Sequence, residues 1–462
     1  MKIRPYLLFA LLALLITSFS TPQAKVNADT SSTKTVLGYY NVYYSGDKNS
    51  YQSLTSYGSY LSRISTMTYS VDLTGKVVGT TPTDAVSYAN SNNIEAFAAF
   101  TNQLNGGGFD QNLAHTILSD ATIRQAAIDN IVATVKNNGF TGANVDFENM
   151  LASDRSLYSQ FISDLRAKLN TNGYQLIVSV MAKTSDCFTC SWSGAFDYAA
   201  LGQAADYVQI MTYDQNGPWG TPGPVAGADW VEKVLQFAVS KIDSSKVLMG
   251  LPAYGYDWNT TASTGKAVAW KAIPNLISTT GSTPKWDSTA QSPFLTYKAS
   301  DGSDHTVWYE NAESIKIKSN FANTYNLAGV SVWCLRLDDE NFWKAVHEGL
   351  QSTTSAPAPV STETITTLTT SKNTYRPGET VIITSKVTNA SSQPLAGASV
   401  TLTITAPTGK VTTYSGVTDT AGIKKFSVST TKKSTKGTYK ATIVTKLANY
   451  QNSTSTISYV LQ

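Results

Sequence analysis

The chain has 462 residues and a formal net charge of +3, and 42% of its residues are hydrophobic. This length exceeds what one ordinary core holds, so we expect a domain of roughly 300 residues and a second, smaller one. Three cysteines and three histidines exclude a disulfide-rich scaffold and leave too few ligands for a zinc site, so we expect no metal and no cofactor. No motif of interleaved basic and aromatic residues supports nucleic-acid binding.

The N-terminus has the features of a secretory signal. Lys2 and Arg4 precede an apolar run over residues 7–16, and the small residue Ala28 offers a cleavage site. The run is too short to span a bilayer comfortably. We predict that residues 1–28 are a signal peptide and that the mature protein is extracellular, either free or associated with the cell wall, without a membrane contact. An uncleaved N-terminal anchor is the alternative.

Eight short apolar runs alternate with amphipathic helical stretches, the pattern of a parallel α/β architecture. The runs are residues 35–43, 62–72, 93–102, 142–148, 175–183, 207–214, 246–256 and 327–335. This alternation predicts a (β/α)8 TIM barrel over residues 29–350, with its active site at the C-terminal ends of the strands. A doubly wound open sheet is the alternative, but no Gly-rich phosphate loop follows the first run.

The spacing between the last two runs is longer than the others. We predict a small α+β insertion at about residues 257–326, because three strand-like pieces occur there. An insertion at this point would cover the barrel mouth and deepen a substrate cleft.

The C-terminal part differs in composition from the rest. Residues 351–366 form a Pro/Ser/Thr linker, and residues 367–462 alternate polar and apolar positions with turn signals, as in an Ig-like antiparallel β-sandwich. From Ala356 onward, eleven Lys and Arg stand against three acidic residues, a net charge of +8. Such a basic domain favours contact with an anionic polymer, for example a teichoic acid or an acidic glycan. Lysines that only solvate the domain are an equally good interpretation.

The fourth run, GANVDFE, carries polar residues in an otherwise apolar strand. The period of two places Asn144, Asp146 and Glu148 on one face, directed into the barrel. Burying two carboxylates without partners would cost several kcal/mol each, so a purely structural role would require a cation or a donor network. We predict that Glu148, at the end of the strand, is a general acid and that Asp146 is its ionised or proton-sharing partner, because like charges raise one pKa.

These residues resemble glycoside hydrolase family 18, the chitinase-like barrels, over residues 35–350. The family's motif Asp-Gly-x-Asp-x-Asp-x-Glu aligns with residues 141–148; Asp146 and Glu148 match it, whereas Thr141 and Asn144 replace its first two acids. The run MTYD on the sixth strand, GLPAYGYDW on the seventh and GVSVW on the eighth match further family motifs in the same strand order.

The resemblance implies substrate-assisted retaining hydrolysis of a β-linked N-acetylglucosamine polysaccharide. Glu148 would protonate the leaving oxygen, Asp146 would support the substrate's acetamido group, and Tyr213 would orient it. Trp333 would lie beneath the sugar. The remaining substrate contacts implied by the matches are Asn144, Met211, Asp214 and Tyr39 or Tyr40.

The amide of Asn144 cannot titrate, so we predict that it exchanges a hydrogen bond with Asp146 and that Asp146 ionises more readily than in a site with three acids. The form GANVDFEN, with AFTNQL and HTVWYENAESIKIK, resembles the branch of spore-cortex and cell-wall hydrolases. Those proteins often carry LysM modules, and none is recognisable here, so chitin and peptidoglycan both stay open as substrates.

Two other functions compete with hydrolysis: a catalytically silent, lectin-like glycan-binding protein, and a surface adhesin that acts through its C-terminal domain. The presence of Glu148 argues against the lectin. We expect a monomer. Cys187 and Cys190 could form a short disulfide or remain free thiols.

Overall fold

The computed structural model describes residues 34–103, 107–352, 364–389, 394–447, 450 and 452–462. The predicted signal peptide and most of the predicted linker lie outside the described residues.

The first 350 residues contain fourteen described strands and ten described α-helices. The strands are β1 Thr35–Asn41, β2 Arg63–Val71, β3 Val77–Gly79, β4 Glu95–Thr101, β5 Gly142–Asp146, β6 Gln175–Met181, β7 Tyr207–Met211, β8 Val247–Pro252, β9 Tyr254–Asn259, β10 Thr264–Ala269, β11 Lys285–Asp287, β12 Ser292–Lys298, β13 Asp304–Trp308 and β14 Gly329–Trp333. The helices are α1 Asn49–Tyr57, α2 Thr83–Ser91, α3 Gln111–Ser119, α4 Ala121–Asn137, α5 Arg155–Asn170, α6 Tyr198–Ala204, α7 Ala228–Val239, α8 Ile273–Thr280, α9 Ala312–Thr324 and α10 Glu340–Leu350. None of these helices combines the length and hydropathy of a membrane span.

Eight parallel strands close into a barrel in the order β1, β2, β4, β5, β6, β7, β8 and β14. Closure is complete because β14 pairs with β1 in parallel register, from Gly329 beside Thr35 to Val332 beside Gly38. The predicted (β/α)8 barrel is thus confirmed. Strand β3 pairs antiparallel with the end of β2 and extends the sheet outside the ring.

Helix α4 illustrates how the sequence produces the outer ring. Asp120 caps it by accepting hydrogen bonds from the backbone N–H groups of Thr122 and Ile123. Gly139, with a positive φ of 74°, follows its C-terminus, where most other residues would be strained. Its apolar residues recur every three or four positions and face the sheet: Ala127, Ile128, Ile131, Val132 and Val135.

Strand β5 has both faces buried, as parallel strands in a barrel do. Val145 and Phe147 belong to the core between the sheet and the helices, where the ring of Phe147 stacks on Phe161 of α5 at 5.7 Å. The opposite face carries Asn144 and Asp146 into the barrel. The strand ends at Asp146, which pairs with Thr101 of β4. The prediction that Glu148 ends this strand is therefore wrong, since Glu148 lies two residues beyond the last paired position.

The segment between β8 and α9 forms a five-stranded antiparallel sheet in the order β10, β9, β13, β12 and β11, with α8 beside it. Helix α9 lies inside the predicted insertion range, but it packs against α10, β8 and β14 as part of the outer ring of the barrel. The five-stranded sheet is thus an insertion in the sequence between two elements of the barrel, β8 and α9.

The C-terminal residues form two sheets around one core, and all strand pairs in them are antiparallel except the short parallel pair of β16 and β22. Their strands are β15 Thr364–Thr370, β16 Thr374–Tyr375, β17 Thr380–Asn389, β18 Ser399–Thr405, β19 Val411–Val417, β20 Ile423–Ser429, β21 Gly437–Lys446 and β22 Ser453–Leu461. One sheet contains β15, β17 and β20, and the other β16, β22, β21, β18 and β19. Their inward residues form a separate apolar cluster that includes Val381, Leu402 and Ile443. This architecture confirms the predicted all-β domain.

Candidate active site

A cavity of about 710 Å³ lies at the C-terminal ends of the barrel strands, the face where barrel enzymes carry their active sites. Seven of the nine predicted site residues line it: Tyr39, Asp146, Glu148, Met211, Tyr213, Asp214 and Trp333. The fold therefore brings together residues from strands far apart in sequence.

Tyr40 and Asn144 do not line this cavity. Tyr40 belongs to the core between the sheet and the helices, because it follows Tyr39 on β1 and its side chain points to the opposite face. It is not placed to contact a sugar, so Tyr39 is the tyrosine of this pair that faces the site.

Asn144 is fully buried beneath the cavity floor. Its side-chain N–H group donates hydrogen bonds to Tyr39 Oη and Ser65 Oγ, each at 3.0 Å, and its carbonyl oxygen accepts one from Ser179 Oγ at 3.1 Å. The predicted direct hydrogen bond between Asn144 and Asp146 is thus replaced by an indirect connection through Ser179. The amide acts as a fixed junction between β1, β2 and β6.

Asp146 is 3% exposed and lies above Asn144 on the same face of β5. Burial raises the pKa of its carboxyl to about 7, and a hydrogen bond with Ser179 acts in the opposite direction. Its Oδ1 atom is buried and has no hydrogen-bond partner among the described residues. Since an unpartnered buried acceptor costs about 1–3 kcal/mol, this oxygen is suited to accept a hydrogen bond from a bound ligand.

Glu148 follows at the cavity wall. Burial raises the pKa of its carboxyl well above the usual range, and the nearby carboxylates of Asp146 and Asp214 raise it further. The like-charge effect predicted from sequence is therefore present, but burial is the larger cause. A raised pKa favours the protonated carboxyl, which is the form that a general acid requires.

The backbone of Glu148 is held by a residue that sequence reasoning missed. Asn102, which directly follows β4, is buried and hydrogen-bonds both the N–H and the C=O of Glu148 at 2.9 Å. The sequence signals for it are an amide placed immediately after an apolar strand and its place in the run AFTNQL, which was noted above only as a resemblance.

Tyr213 and Asp214 lie on the loop after β7 and also line the cavity. The ring of Tyr213 is accommodated by Gly250 of β8, where a Cβ atom would lie 2.6 Å from Tyr213 Cε1. Burial raises the pKa of the Tyr213 hydroxyl, which therefore keeps its proton and remains a donor. Asp214 accepts hydrogen bonds from Tyr254 Oη at 2.6 Å and Tyr256 Oη at 2.8 Å, so the inserted sheet holds it in place.

Aromatic side chains form the floor and the rim of the cavity. Trp333, the last residue of β14, packs 5.4 Å from the ring of Tyr39 and presents an apolar surface. Trp192 and Trp219, which the sequence analysis did not single out, are 53% and 76% exposed and also line the cavity. Trp192 follows a loop closed by a disulfide between Cys187 and Cys190, which resolves the alternatives left open above.

Residues 31–338 match the sequence model of Glycosyl hydrolases family 18, and residues 366–458 match that of the MG2 domain, an Ig-like module. The Bacillus subtilis glycosylase YvbX is 38% identical over 309 residues, which cover 66% of this chain and 90% of that protein. The cortical fragment-lytic enzyme of Bacillus subtilis is 29% identical over 300 residues, 64% of this chain and 69% of its own.

Solved structures agree with these sequence matches. A chitinase from Chromobacterium violaceum superposes with a TM-score of 0.65 at 37% identity, covering 69% of this chain and 99% of that one. Since the family match extends over residues 31–338, well over half of the sequence, the chain belongs to glycoside hydrolase family 18.

Proposed function

We propose that the protein is a secreted glycosidase that cleaves β-linked N-acetylglucosamine in chitin or peptidoglycan by substrate-assisted hydrolysis with retention. The observation that carries this proposal is the unpartnered buried oxygen of Asp146 beside Glu148, whose buried carboxyl has a raised pKa. An acetamido N–H is a donor that would satisfy this oxygen, and an acetamido group is present on every N-acetylglucosamine unit.

In the first step, Glu148 donates its proton to the leaving glycosidic oxygen. The raised pKa of its carboxyl supports this role because a general acid must carry its proton at the working pH. After the leaving group departs, the carboxylate of Glu148 takes a proton from the attacking water.

The nucleophile in this proposal is the substrate's own acetamido oxygen, which attacks the anomeric carbon and forms an oxazolinium ion. Asp146 accepts the acetamido N–H and, once ionised, stabilises the positive charge of the ring. The protonated hydroxyl of Tyr213 orients the acetamido group from the other side. Asp214 is engaged by two tyrosine hydroxyls, which disfavours it as a nucleophile of the enzyme.

Trp333 forms the floor on which the apolar face of the sugar would pack. The relatives named above include a cortical fragment-lytic enzyme and a chitinase. Peptidoglycan and chitin, which both carry acetamido groups, are therefore the two substrates to compare.

The test is to incubate the purified protein separately with chitin oligomers and with purified peptidoglycan and to identify the products by mass spectrometry. We expect fragments with new N-acetylglucosamine reducing ends, formed first as the β-anomer in a proton NMR time course. Oligomers that carry a free amine in place of the acetamido group should resist cleavage. Hydrolysis of neither polymer, or initial release of the α-anomer, would contradict the proposal.

Secretion is supported by residues 1–28 of the sequence. Expression in a bacterial host, followed by N-terminal sequencing of the protein in the medium, tests it; we expect a mature chain that begins near residue 29.

A catalytically silent glycan-binding protein is the second candidate. It predicts that wild-type protein and the Glu148→Gln variant bind chitin oligomers equally and that neither releases reducing ends. The raised pKa of the Glu148 carboxyl, which suits a proton donor, favours the hydrolase instead.

A further inference from the structure

The C-terminal sandwich carries its charge unevenly. Residues 364–462 contain eleven Lys and Arg and only two acidic residues, Glu379 and Asp419. The fold determines where these charges lie, because antiparallel strands bring the connections of alternate strands to the same end of a sandwich.

Three connections meet at one end: residues 371–379, 406–410 and 430–436. The first and the third are joined, since Gly378 N donates to Thr430 Oγ1 at 2.8 Å and Thr430 Oγ1 donates to Glu379 O at 2.7 Å. The second is adjacent, since a Cβ atom on Gly437 would lie 3.0 Å from Pro407.

Seven of the eleven basic residues lie on these connections or on the adjoining part of β21, and all seven are exposed. We call this surface the basic end; it consists of Lys372, Arg376, Lys410, Lys432, Lys433, Lys436 and Lys440. One acidic residue, Glu379, lies there, and it is engaged by Lys372 at 3.2 Å and by the backbone N–H of Arg376 at 3.0 Å.

The opposite end has a different character. Asp419 lies there in the turn before β20, and Thr364, the first described residue of the sandwich, begins β15 at the same end. The four remaining lysines lie on β17, β20 and β21 in the half of the sandwich nearer this opposite end: Lys386, Lys424, Lys425 and Lys446. Chain entry and the concentration of positive charge are therefore at opposite ends of this domain.

We propose that the basic end binds a linear phosphodiester polymer of the cell wall, a polyol phosphate, and holds the enzyme next to its glycan. Six of the seven cations are lysines, which act as point charges toward phosphate, whereas planar two-point recognition of carboxylates favours arginine. A polymer with a phosphate in every unit matches a surface on which exposed cations are concentrated on adjoining connections. The choice of a wall polymer rests on the proposed function of the barrel.

The burial of the aromatic side chains at the basic end supports a purely electrostatic contact. The three tyrosines at this end, Tyr375, Tyr439 and Tyr459, are buried and pack on one another, and residues 364–462 contain no tryptophan. Sugar rings and nucleobases are held by stacking on exposed aromatic side chains, and the described residues at this end offer none. This favours a phosphate backbone without bases over a nucleic acid.

The experiment compares two variants of the full chain with equal loss of charge. One carries Lys432→Gln, Lys433→Gln and Lys436→Gln in the basic end; the control carries Lys386→Gln, Lys425→Gln and Lys446→Gln on the sheets. Binding is measured by co-sedimentation with Gram-positive cell walls over a range of salt concentrations. All six residues are exposed, so both variants should fold.

We expect the basic-end variant to bind walls about tenfold more weakly at 0.15 M salt, and the slope of log K against log salt to fall by about 2 to 3. The control variant should remain within about twofold of wild type. Walls stripped of phosphodiester polymers with hydrofluoric acid should retain the wild-type chain no better than they retain the basic-end variant.

Equal losses in both variants would overturn the proposal in favour of diffuse attraction by net charge. Undiminished binding to stripped walls would overturn it in favour of the glycan itself, and tighter binding to duplex DNA than to the wall polymer would overturn it in favour of a nucleic acid. Turnover of soluble chitin oligomers is measured on the same preparations, so failure of the barrel's proposed function is recorded separately from failure of wall binding.

Discussion

Asn102 holds Glu148 by both of its backbone groups. The side-chain N–H of Asn102 donates to Glu148 O, and the Glu148 N–H donates to Asn102 Oδ1, both at 2.9 Å. Strand pairing of β5 ends at Asp146, so these two bonds replace the ladder where the proposed acid must be fixed. Asn102 is in turn anchored to the carbonyl of Asp110 at 2.9 Å.

We expect Asn102→Ala to lower kcat by roughly 10- to 100-fold with KM changed less than about threefold, because misplacement of a proton donor affects the chemical step most. The two backbone groups left without partners should also lower the melting temperature, each costing about 1–3 kcal/mol. Asn90→Ala, which removes an exposed side-chain bond to Gly139 O, is the control and should leave kcat unchanged. A variant that loses thermal stability but keeps full kcat would show that Asn102 has only a structural role.

Replacing Glu148 by Gln removes the proton that leaves with the glycosidic oxygen while keeping the size of the side chain. We expect kcat on a chitin oligomer to fall by at least about 10³-fold, with the affinity for the oligomer, measured by calorimetry, within about threefold of wild type. Glu313→Gln, an exposed acid in the first turn of α9, is the control. Residual activity above a tenth of wild type would contradict the role of Glu148 as general acid.

The barrel itself could be predicted from the sequence because its signal is local and repeated. Each strand is a short apolar run, each helix has a period near 3.6, and eight such units succeed one another. The column of Asn144, Asp146 and Glu148 was visible for the same reason, since the period of two fixes which side chains share a face.

Other features depend on contacts that no local pattern contains. Strands of a closed barrel are buried on both faces, so the adjacent Tyr39 and Tyr40 both suit buried positions. The sequence pattern alone does not indicate which of the two faces the site. The clamp between Asn102 and Glu148 joins residues 46 positions apart. The end of β5 at Asp146 was missed because the polar alternation continues to Glu148 after strand pairing has stopped.

Asn144→Asp tests how the buried network sets the ionisation of Asp146. The variant replaces an amide that donates to Tyr39 and Ser65 with a second carboxyl beneath Asp146. Two neighbouring carboxyls retain a proton between them, so Asp146 should ionise less readily and the acidic limb of kcat/KM against pH should move to higher pH. The measurement is a pH profile with a soluble oligomer, and an unchanged limb would contradict the prediction.

The raised pKa of Asp146 also predicts how stability depends on pH. On folding, the pKa of this carboxyl rises from 3.8 to about 7, so the folded protein binds its proton more tightly than the unfolded chain. Stability from this group is complete below about pH 4 and is lost as pH rises through about 7, at a cost on the order of 4 kcal/mol. Asp146→Asn removes this cost. The measurement is the difference in melting temperature between the variant and wild type. We expect this difference to be roughly 5 °C more favourable to the variant at pH 8 than at pH 4. A difference that does not change with pH would contradict the assignment.

A buried ion pair joins the inserted sheet to the outer ring of the barrel. Lys318 of α9 is 1% exposed and donates to Glu310 Oε1 at 2.6 Å and to Ser292 Oγ of β12 at 2.8 Å. Burial opposes the charge of both partners, lowering the pKa of Lys318 and raising that of Glu310. Removing either charge would therefore leave the other buried without a partner, which is strongly destabilising.

We expect Lys318→Met to lower the free energy of unfolding by about 3–5 kcal/mol, because it leaves the Glu310 carboxyl buried without a cation. The double variant with Glu310→Leu should recover most of this loss, since neither charge then remains. Lys316 offers a matched control two residues away: its pair with Glu348 at 3.0 Å is exposed, so Lys316→Met should cost less than about 1 kcal/mol. Urea denaturation of the four proteins supplies the comparison. A double variant no more stable than Lys318→Met would show that the loss comes from packing at α9 and not from the isolated charge of Glu310.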